Sequence, residues 1–415
     1  MFAIKGRIIT CSNDEIIDRG LIVVNNEVIE YVGHENNYSL PEDCRIIAYD
    51  EDTTIMPGFI DCHTHLTGTE SNKFGYGNAD NFDRLINASK HIGTLLDAGF
   101  TTIRDMSLFG PALKRGVERG YIRGPRIFPG GRILGITSGH SDDNTFFPLD
   151  FIQRENPIGY LVDGVDECLK GARLQFRQGA EFIKISATGG VSSMSDGLDD
   201  IQFSAEEIKT IVEEAKRHGT YVAAHCSGTA GTYQALAAGV TSIEHGIKLD
   251  NKCIELMVKN NATLVPTISI SLEIASYKGL PPYMIEKGKK CAEEHLKSIE
   301  MARKANIKIA YGTDFSNSVN TPYIKNGREF KSLVHAGLTP LEAIKAATVN
   351  SAHLVKMEKI IGVLEKGKIA DIVVARGNPL EDISVLEDST NILMVIKNGI
   401  IEKHTKIKIR RDLNG

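Results

Sequence analysis

The sequence contains no tryptophan and only seven cysteines in 415 residues. An odd and sparse set of cysteines does not suit a disulfide framework, so we expect reduced thiols and a cytoplasmic location. No run of about 18 apolar residues is present, and we therefore expect neither a transmembrane helix nor a membrane partner. The first residues contain no long apolar stretch and no cleavage site of small residues, so we expect no signal peptide.

An excess of charge of one sign is also lacking. Lysine and arginine number 48 against 53 aspartate and glutamate residues, which gives a formal net charge of −5. A chain with a weak acidic excess lacks the excess of positive charge that is typical of nucleic-acid binding, so we expect a small-molecule substrate. The composition of 42% hydrophobic and 24% charged residues is that of a globular chain. The length predicts two to three domains, and we expect a homo-oligomer.

Both ends of the chain have the pattern of short β-strands. Near the start, Asn25-Asn26 separates two β-branched runs, and near the end Asn398-Gly399 does the same. Such pairs between strands are hairpin signals. Each end is too small to bury a core of its own. We therefore predict one composite β-sandwich domain made of residues 1–55 and 357–415.

Residues 56–356 alternate short apolar runs with longer amphipathic stretches. Strands that alternate with helices indicate parallel pairing, and eight such units predict a (β/α)8 TIM barrel. A doubly wound open sheet would fit the same pattern, although neither a G-x-G-x-x-G nor a Walker A phosphate loop supports it. The predicted strands are Ile55–Asp61, Thr101–Arg104, Arg126–Phe128, Phe182–Ser186, Val222–His225, Ser242–Glu244, Thr263–Thr267 and Ile307–Tyr311.

The first predicted barrel strand ends in a pair of histidines. His63 and His65 are two residues apart, and side chains at that spacing point to the same side of a strand. Two imidazoles at a strand end can chelate one metal ion. A pair of solvent-facing histidines explains the H-x-H pattern equally well when it is taken alone.

Further polar residues mark the later strands. Lys184 lies in an apolar strand, where a buried ammonium needs a partner, a shifted pKa or a modification, unless the side chain reaches solvent at the strand end. His225 and His245 each end a strand, and Asp314 follows the eighth strand. Each histidine alone would suit a hydrogen-bonded core residue. Because active sites of these barrels form at the carboxyl ends of the strands, we expect all of these side chains to converge.

In this combination and order the sequence resembles the amidohydrolase superfamily of metal-dependent hydrolases. The flanking runs Met56–Asp61 and Gly362–Val373 match that family as well. The resemblance implies a barrel with a small β-sandwich built from both termini, and it implies two divalent metal ions. It assigns one ion to His63, His65 and Asp314 and the other to His225 and His245, with carbamylated Lys184 as the bridging ligand. Nitrogen and oxygen ligands suit zinc, without excluding manganese, iron or cobalt.

Two neighbouring ions can activate a bridging water as hydroxide and polarise an amide carbonyl. Asp314 would then be both a ligand and the catalytic group that moves the proton to the leaving nitrogen. The loop around His140 resembles that of prolidases and carboxypeptidase-like dipeptidases. There the equivalent histidine contacts the scissile carbonyl, so His140 is expected to bind substrate and stabilise the oxyanion, unless it only braces its glycine-rich loop. Backbone N–H groups at Gly189 and Gly190 could bind a carboxylate.

The expected function is metal-dependent hydrolysis of a peptide-like amide bond, in a dipeptide or an N-acyl amino acid with a free carboxylate. A ring-opening hydrolase of the imidazolonepropionase kind is the alternative. A hydrolytic deaminase fits less well because of the lysine, and a non-catalytic relative fits least because every expected ligand is present. Arg104 could clamp a carboxylate or form a structural ion pair.

Overall fold

The computed structural model describes residues 1–13, 15–49, 52–68, 80–143 and 147–405. Within these ranges the strands are β1 (Phe2–Ile9), β2 (Ile16–Asn25), β3 (Val28–His34), β4 (Arg45–Ile47), β5 (Thr53–Pro57), β6 (Phe59–Thr64), β7 (Phe100–Asp105), β8 (Arg126–Pro129), β9 (Ile133–Gly135), β10 (Gly159–Leu161), β11 (Ile183–Ser186), β12 (Val222–Cys226), β13 (Ser242–His245), β14 (Thr263–Val265), β15 (Ile372–Arg376), β16 (Ile392–Lys397) and β17 (Ile400–His404). The α-helices are α1 (Asn81–His91), α2 (Gly93–Asp97), α3 (Gly110–Glu118), α4 (Leu149–Glu155), α5 (Gly164–Gln178), α6 (Ala205–Arg217), α7 (Thr229–Ala237), α8 (Asn251–Lys259), α9 (Ile268–Glu273), α10 (Pro282–Lys304), α11 (Arg328–His335), α12 (Pro340–Lys345) and α13 (Ser351–Leu354).

Strands from both ends of the chain form one mixed sheet in the order β17-β16-β15-β5-β1-β2-β3, with β4 beside β1. Its two predicted hairpins are present, β2 with β3 and β16 with β17. The turn residues Asn26, Asn398 and Gly399 have φ of 54°, 52° and 74°, the left-handed region that asparagine and glycine adopt most easily. The two termini therefore share a sheet, as their patterns indicated.

The middle of the chain supplies two parallel sheets, β6-β7-β8 and β10-β9-β11-β12-β13-β14. Helices separate most of these strands, in agreement with the predicted alternation. The start of α6 is fixed by its own side chains: Ser204 caps the helix and forms a capping box with Glu207. This box satisfies backbone N–H groups that the first helical turn would otherwise leave without partners.

Three details of the strand prediction are wrong. The first predicted strand is interrupted at Gly58, so that β5 belongs to the mixed sheet and β6 to a parallel one. The short strands β9 and β10 were not predicted, because three residues carry too little periodicity. The segment Ile307–Tyr311 is not a regular strand. It still joins β14 to β6, because Ala310 N donates to Leu264 O at 2.8 Å and Cys62 N donates to Tyr311 O at 2.8 Å.

The parallel strands are buried on both faces, as strands covered by helices should be. On the other side, Glu181 just before β11 donates its backbone N–H to Pro129 O at the end of β8, at 2.7 Å, and this bond connects the two parallel sheets. The carboxyl ends of β6, β11, β12 and β13 meet in one region, and the predicted site residues lie there. No helix in the described ranges combines the length and apolar character that a membrane crossing requires.

Candidate metal centre and active site

His63, His65 and Asp314 lie together. Their potential ligand atoms all lie within 4.8 Å of one another. Nε2 of His65 lies 2.9 Å from Oδ1 of Asp314, and Nε2 of His63 lies 3.4 Å from the same oxygen. Burial raises the pKa of Asp314, but the two imidazoles more than offset it and the net pKa is lowered. Two nitrogens and a carboxylate oxygen at this spacing are a ligand set that zinc accepts.

The other ring nitrogen of His63 contacts a fully buried carboxylate. Nδ1 lies 2.7 Å from Oε2 of Glu244, which orients Nε2 toward Asp314. Arg104 places its NH2 group 2.6 Å from both oxygens of Glu244 and also donates to Cys62 O. Arg104 is thus a structural ion pair rather than a substrate clamp. Glu244 was not predicted as a site residue, although a carboxylate in a buried strand needs a partner just as a buried lysine does.

Lys184 points into the same region and is 1% exposed. It pairs in register with Ala223 of β12, two residues before His225 on the neighbouring strand. Burial lowers its pKa to about 8. Among the residues that the structure describes, none forms a hydrogen bond or an ion pair with its Nζ. Burying an amine that has no partner costs free energy of folding. Contacts among the described residues do not offset this cost, so a purely structural role does not explain the position of Lys184.

His225 and His245 complete the cluster of imidazoles. Their ring centroids are 4.6 Å apart, and the ring of His245 lies 5.0 Å from that of His63. Burial keeps the pKa of His225 and His245 well below the ordinary value, so both rings are neutral and able to bind a metal. Nδ1 of His245 lies 2.7 Å from Oγ1 of Thr267, which fixes its ring.

Backbone strain is concentrated at this site. His245, Thr267 and Asp314 have φ of 64°, 52° and 62°. Residues other than glycine rarely adopt this conformation, and threonine especially so, since its β-carbon is branched. His245 ends β13, Thr267 follows β14, and Asp314 follows the segment that joins β14 to β6. Strain of this kind persists where the surrounding structure imposes it, typically at functional sites.

His140 lies next to His225 at the edge of the cluster. Its ring stacks on that of His225 with centroids 4.2 Å apart. Burial lowers the pKa of His140. Gly190 packs against the ring so closely that a β-carbon at this position would lie 2.2 Å from Cε1 of His140. The predicted carboxylate site at Gly189 and Gly190 is wrong, because their N–H groups already donate to Asp200 O and to the side chain of Asp196.

These residues line a cavity of about 380 Å³. One part of its wall is polar and holds the histidines, Lys184 and Asp314. The remainder combines small polar side chains with large apolar ones, and the apolar ones come mainly from the β9–β10 region, the loop after β11, and the segment from α9 to α10: Ile133, Ile158, Val191, Met194, Ile247, Ile270, Ile274, Tyr277, Leu280 and Met284. A cavity in which apolar side chains surround a few convergent polar groups is typical of a small-molecule site.

The remaining histidines and the cysteines lie outside the cluster. His295 has a structural role: Nε2 donates to His245 O at 2.8 Å, and Nδ1 lies 2.9 Å from Oγ of Ser271. All seven cysteines are free. Cys62 and Cys226, which flank metal-ligand candidates, are fully buried, and burial raises the pKa of both thiols to about 12. Both thiols therefore pack as neutral groups.

Comparison with known proteins gives consistent results. The pattern of the amidohydrolase family matches residues 54–401. The chain is 34% identical to ochratoxinase of Aspergillus niger over 94% of this chain and 84% of that protein. The crystal structure of that ochratoxinase superposes with a TM-score of 0.87, at 31% identity, covering 97% and 95% of the two chains.

Two further relatives differ in the reactions that their names state. A crystal structure of a Xaa-Pro dipeptidase with bound methionine has a TM-score of 0.86 and 31% identity, and it covers 96% of this chain and 99% of that one. An imidazolonepropionase of Brevibacillus brevis is 24% identical over 93% of this chain and 90% of that protein. These matches confirm the resemblance that the motifs indicated.

Proposed function

Because the chain belongs to the amidohydrolase family, we propose that it cleaves a peptide-like amide bond in a dipeptide or an N-acyl amino acid with a free carboxylate. The chain is a hydrolase, as its relatives are. The convergence of His63, His65 and Asp314 beside buried Lys184, which finds no partner among the described residues, is the observation that carries the proposal. The relatives named as ochratoxinase and Xaa-Pro dipeptidase support this choice of substrate class.

The donor set fits two divalent ions, with zinc as the proposed metal. His63, His65 and Asp314 would hold one ion, and His225 and His245 would hold the other. Lys184, carbamylated by CO₂, would bridge them, since carbamylation turns a buried amine without a partner into an anionic oxygen ligand. When bound, such ions supply an ionised water as nucleophile and polarise the scissile carbonyl.

The protein's own side chains would position the substrate and move protons. Asp314 faces the histidine cluster and would take up a proton and pass it to the leaving nitrogen. His140 lies across the cavity, where its ring would contact the scissile carbonyl and stabilise charge on the oxygen. Glu244 and Arg104 touch no substrate in this scheme. They fix the ring of His63.

The cavity wall supports an apolar group on at least one side of the amide bond. The segment from Ile270 to Met284 contributes five large apolar side chains to the cavity. Among the cavity-lining residues that the structure describes, Lys184 is the only lysine or arginine. A substrate carboxylate would therefore be bound by uncharged donors and by the metal centre, which distinguishes this site from an arginine clamp.

A ring-opening hydrolase remains the second candidate, because an imidazolonepropionase is among the relatives. Both reactions begin with attack on an amide carbonyl, and the same ligand set serves either. The substrate determines which reaction occurs: an acyclic amide releases an amino acid, whereas a cyclic amide opens to a single product.

Two measurements test the proposed function. Metal analysis after reconstitution should give about two equivalents per chain, and fewer than about one would exclude the two-ion centre. A panel of dipeptides, N-acyl amino acids and cyclic amides should then show release of amino acids. Each active acyclic compound is compared with its methyl ester, which tests the need for a free carboxylate. Opening of cyclic amides without cleavage of any acyclic compound would favour the second candidate.

We further propose that the parallel sheets form a closed (β/α)8 barrel over residues 56–356 and that residues 1–55 and 357–415 form the second, composite domain. The backbone hydrogen bonds that connect the two parallel sheets, from Glu181 to Pro129 and through the segment Ile307–Tyr311, support the barrel. A cytoplasmic location and a homo-oligomeric state also stay proposals. Sedimentation of the purified protein tests the latter.

A further inference from the structure

The side chain of His140 is held by a small network on the loop after β11. Its Nδ1 lies 2.8 Å from Oγ of Ser193, and its backbone N donates to Oε1 of Gln202 at 3.0 Å. Ser193 in turn donates to Oδ1 of Asp196 at 2.5 Å. The same Asp196 accepts from Nε2 of Gln202 at 3.0 Å, so the network closes on itself.

A lysine from a distant helix fixes this loop. Lys287 of α10 donates to the carbonyl oxygens of Gly190, Ser193 and Asp196, at 3.0, 2.8 and 2.6 Å. Its three N–H groups are therefore all used by the loop backbone. The side chain of Asp196 is 3% exposed. The loop that carries Ser193 and Asp196 is thereby fixed to the body of the protein.

The donors and acceptors along the network determine which ring nitrogen of His140 carries the proton. The carboxylate of Asp196 only accepts hydrogen bonds, so the single hydroxyl proton of Ser193 points to Asp196. The oxygen of Ser193 is then left to accept, and the proton in its contact with His140 must come from Nδ1. Nε2 of His140 has no hydrogen-bond partner among the described residues, and the ring lines the cavity.

We propose that Asp196 and Ser193 are positioning residues that hold His140 as its Nδ1–H tautomer and leave Nε2 open to the bound substrate. The role of Nε2 rests on the proposed function, in which His140 meets the scissile carbonyl. In this tautomer the Nδ1–H group donates to Ser193, and Nε2 faces the cavity with its lone pair free of any hydrogen bond from the described residues. The arrangement resembles the way a buried carboxylate orients a catalytic imidazole in other hydrolases.

Nitrogen NMR of histidine-labelled, zinc-loaded protein tests the assignment without turnover. The ring nitrogen that carries hydrogen differs in ¹⁵N shift from the one that does not, and the His140→Gln variant identifies the signal. We expect Nδ1–H in the wild type and in Ser193→Thr, which keeps the hydroxyl. Ser193→Ala removes the acceptor, so we expect Nε2–H to appear. An Nε2–H signal from His140 in the wild type would overturn the proposal, whether or not any variant folds.

Kinetics provide the second measurement. Ser193→Ala should lower kcat by about 10- to 100-fold with little change in KM, and Ser193→Thr should restore it. Asp199→Asn, an exposed change on the same loop whose side chain contacts Lys248, is the matched control and should leave kcat unchanged. Unaltered kcat and tautomer in Ser193→Ala would overturn the positioning role. If no amide in the panel is cleaved, the proposed function fails while the tautomer remains measurable.

Discussion

Glu244 accepts a hydrogen bond from Nδ1 of His63 at 2.7 Å, and neither side chain is more than 1% exposed. The contact links a metal-ligand candidate to a carboxylate that Arg104 also binds through both oxygens. A histidine whose second nitrogen is fixed in this way presents its other nitrogen in one orientation. The pair thus connects the stability of the strands to the geometry of the candidate metal centre.

Replacing Glu244 with alanine should damage both properties. Arg104 would be left as a buried charge without a counterion, which costs about 3–5 kcal/mol of unfolding free energy. The ring of His63 would lose its fixed orientation, which should weaken metal binding by about 10- to 100-fold. Urea unfolding and metal titration measure the two effects.

The matched control is Glu286→Ala, which removes an exposed ion pair with Lys290. This change should alter the unfolding free energy by less than about 1 kcal/mol and leave metal binding intact. If Glu244→Ala bound metal as the wild type does, Glu244 would have no role in orienting His63.

Replacing Lys184 with alanine should remove most bound metal and most activity, since this change removes the proposed bridging ligand. Short carboxylic acids added to the variant should restore part of the activity, because their oxygens can occupy the space that the side chain leaves. Metal content and rates are measured with and without acetate. Full activity of Lys184→Ala without acetate would remove the bridge from the mechanism.

The part of the site that depends on local sequence patterns could be predicted. His63, His65, Lys184 and His225 all stand at or near strand ends, and a strand end can be read from apolar runs. Both Glu244 and Lys184 are charged residues within buried strands. The need of a buried charge for a partner, which indicated Lys184, therefore also indicates Glu244.

The partners of these residues could not be predicted, because pairing depends on contacts far apart in the chain. Ser193 meets His140 across 53 positions, and Lys287 reaches the same loop from α10. Neither contact leaves a local pattern. The same limit explains the errors in the fold. The segment Ile307–Tyr311 has the apolar composition of a strand, but its backbone makes only isolated bonds to its neighbours.

His295 should make the protein less stable in mild acid. Burial lowers its pKa to about 4, whereas an unfolded histidine titrates near 6.5. The unfolded chain therefore binds a proton that the folded protein does not, and stability falls as the pH drops from about 6.5 toward 4. This group alone accounts for up to about 3 kcal/mol.

The variant His295→Gln isolates this effect, because glutamine can donate and accept at the same place without titrating. Unfolding free energies of both proteins are measured from pH 7 to pH 4.5. The wild type should lose more stability than the variant over this range, and equal losses would show that His295 titrates normally in the folded protein. Taking the difference cancels the contribution of the other histidines, which both proteins share.

Asp314 allows its charge to be tested separately from its backbone conformation. Its φ of 62° is one that asparagine adopts as readily as aspartate, so Asp314→Asn keeps the fold and removes the charge. If Asp314 moves the proton to the leaving nitrogen, kcat should fall by about 10²- to 10⁴-fold. Asp314→Val would confound this result, because a β-branched residue at positive φ also destabilises the strand end. We therefore expect Asp314→Asn to unfold at the same urea concentration as the wild type while losing its turnover. A variant with normal turnover would mean that another group carries the proton.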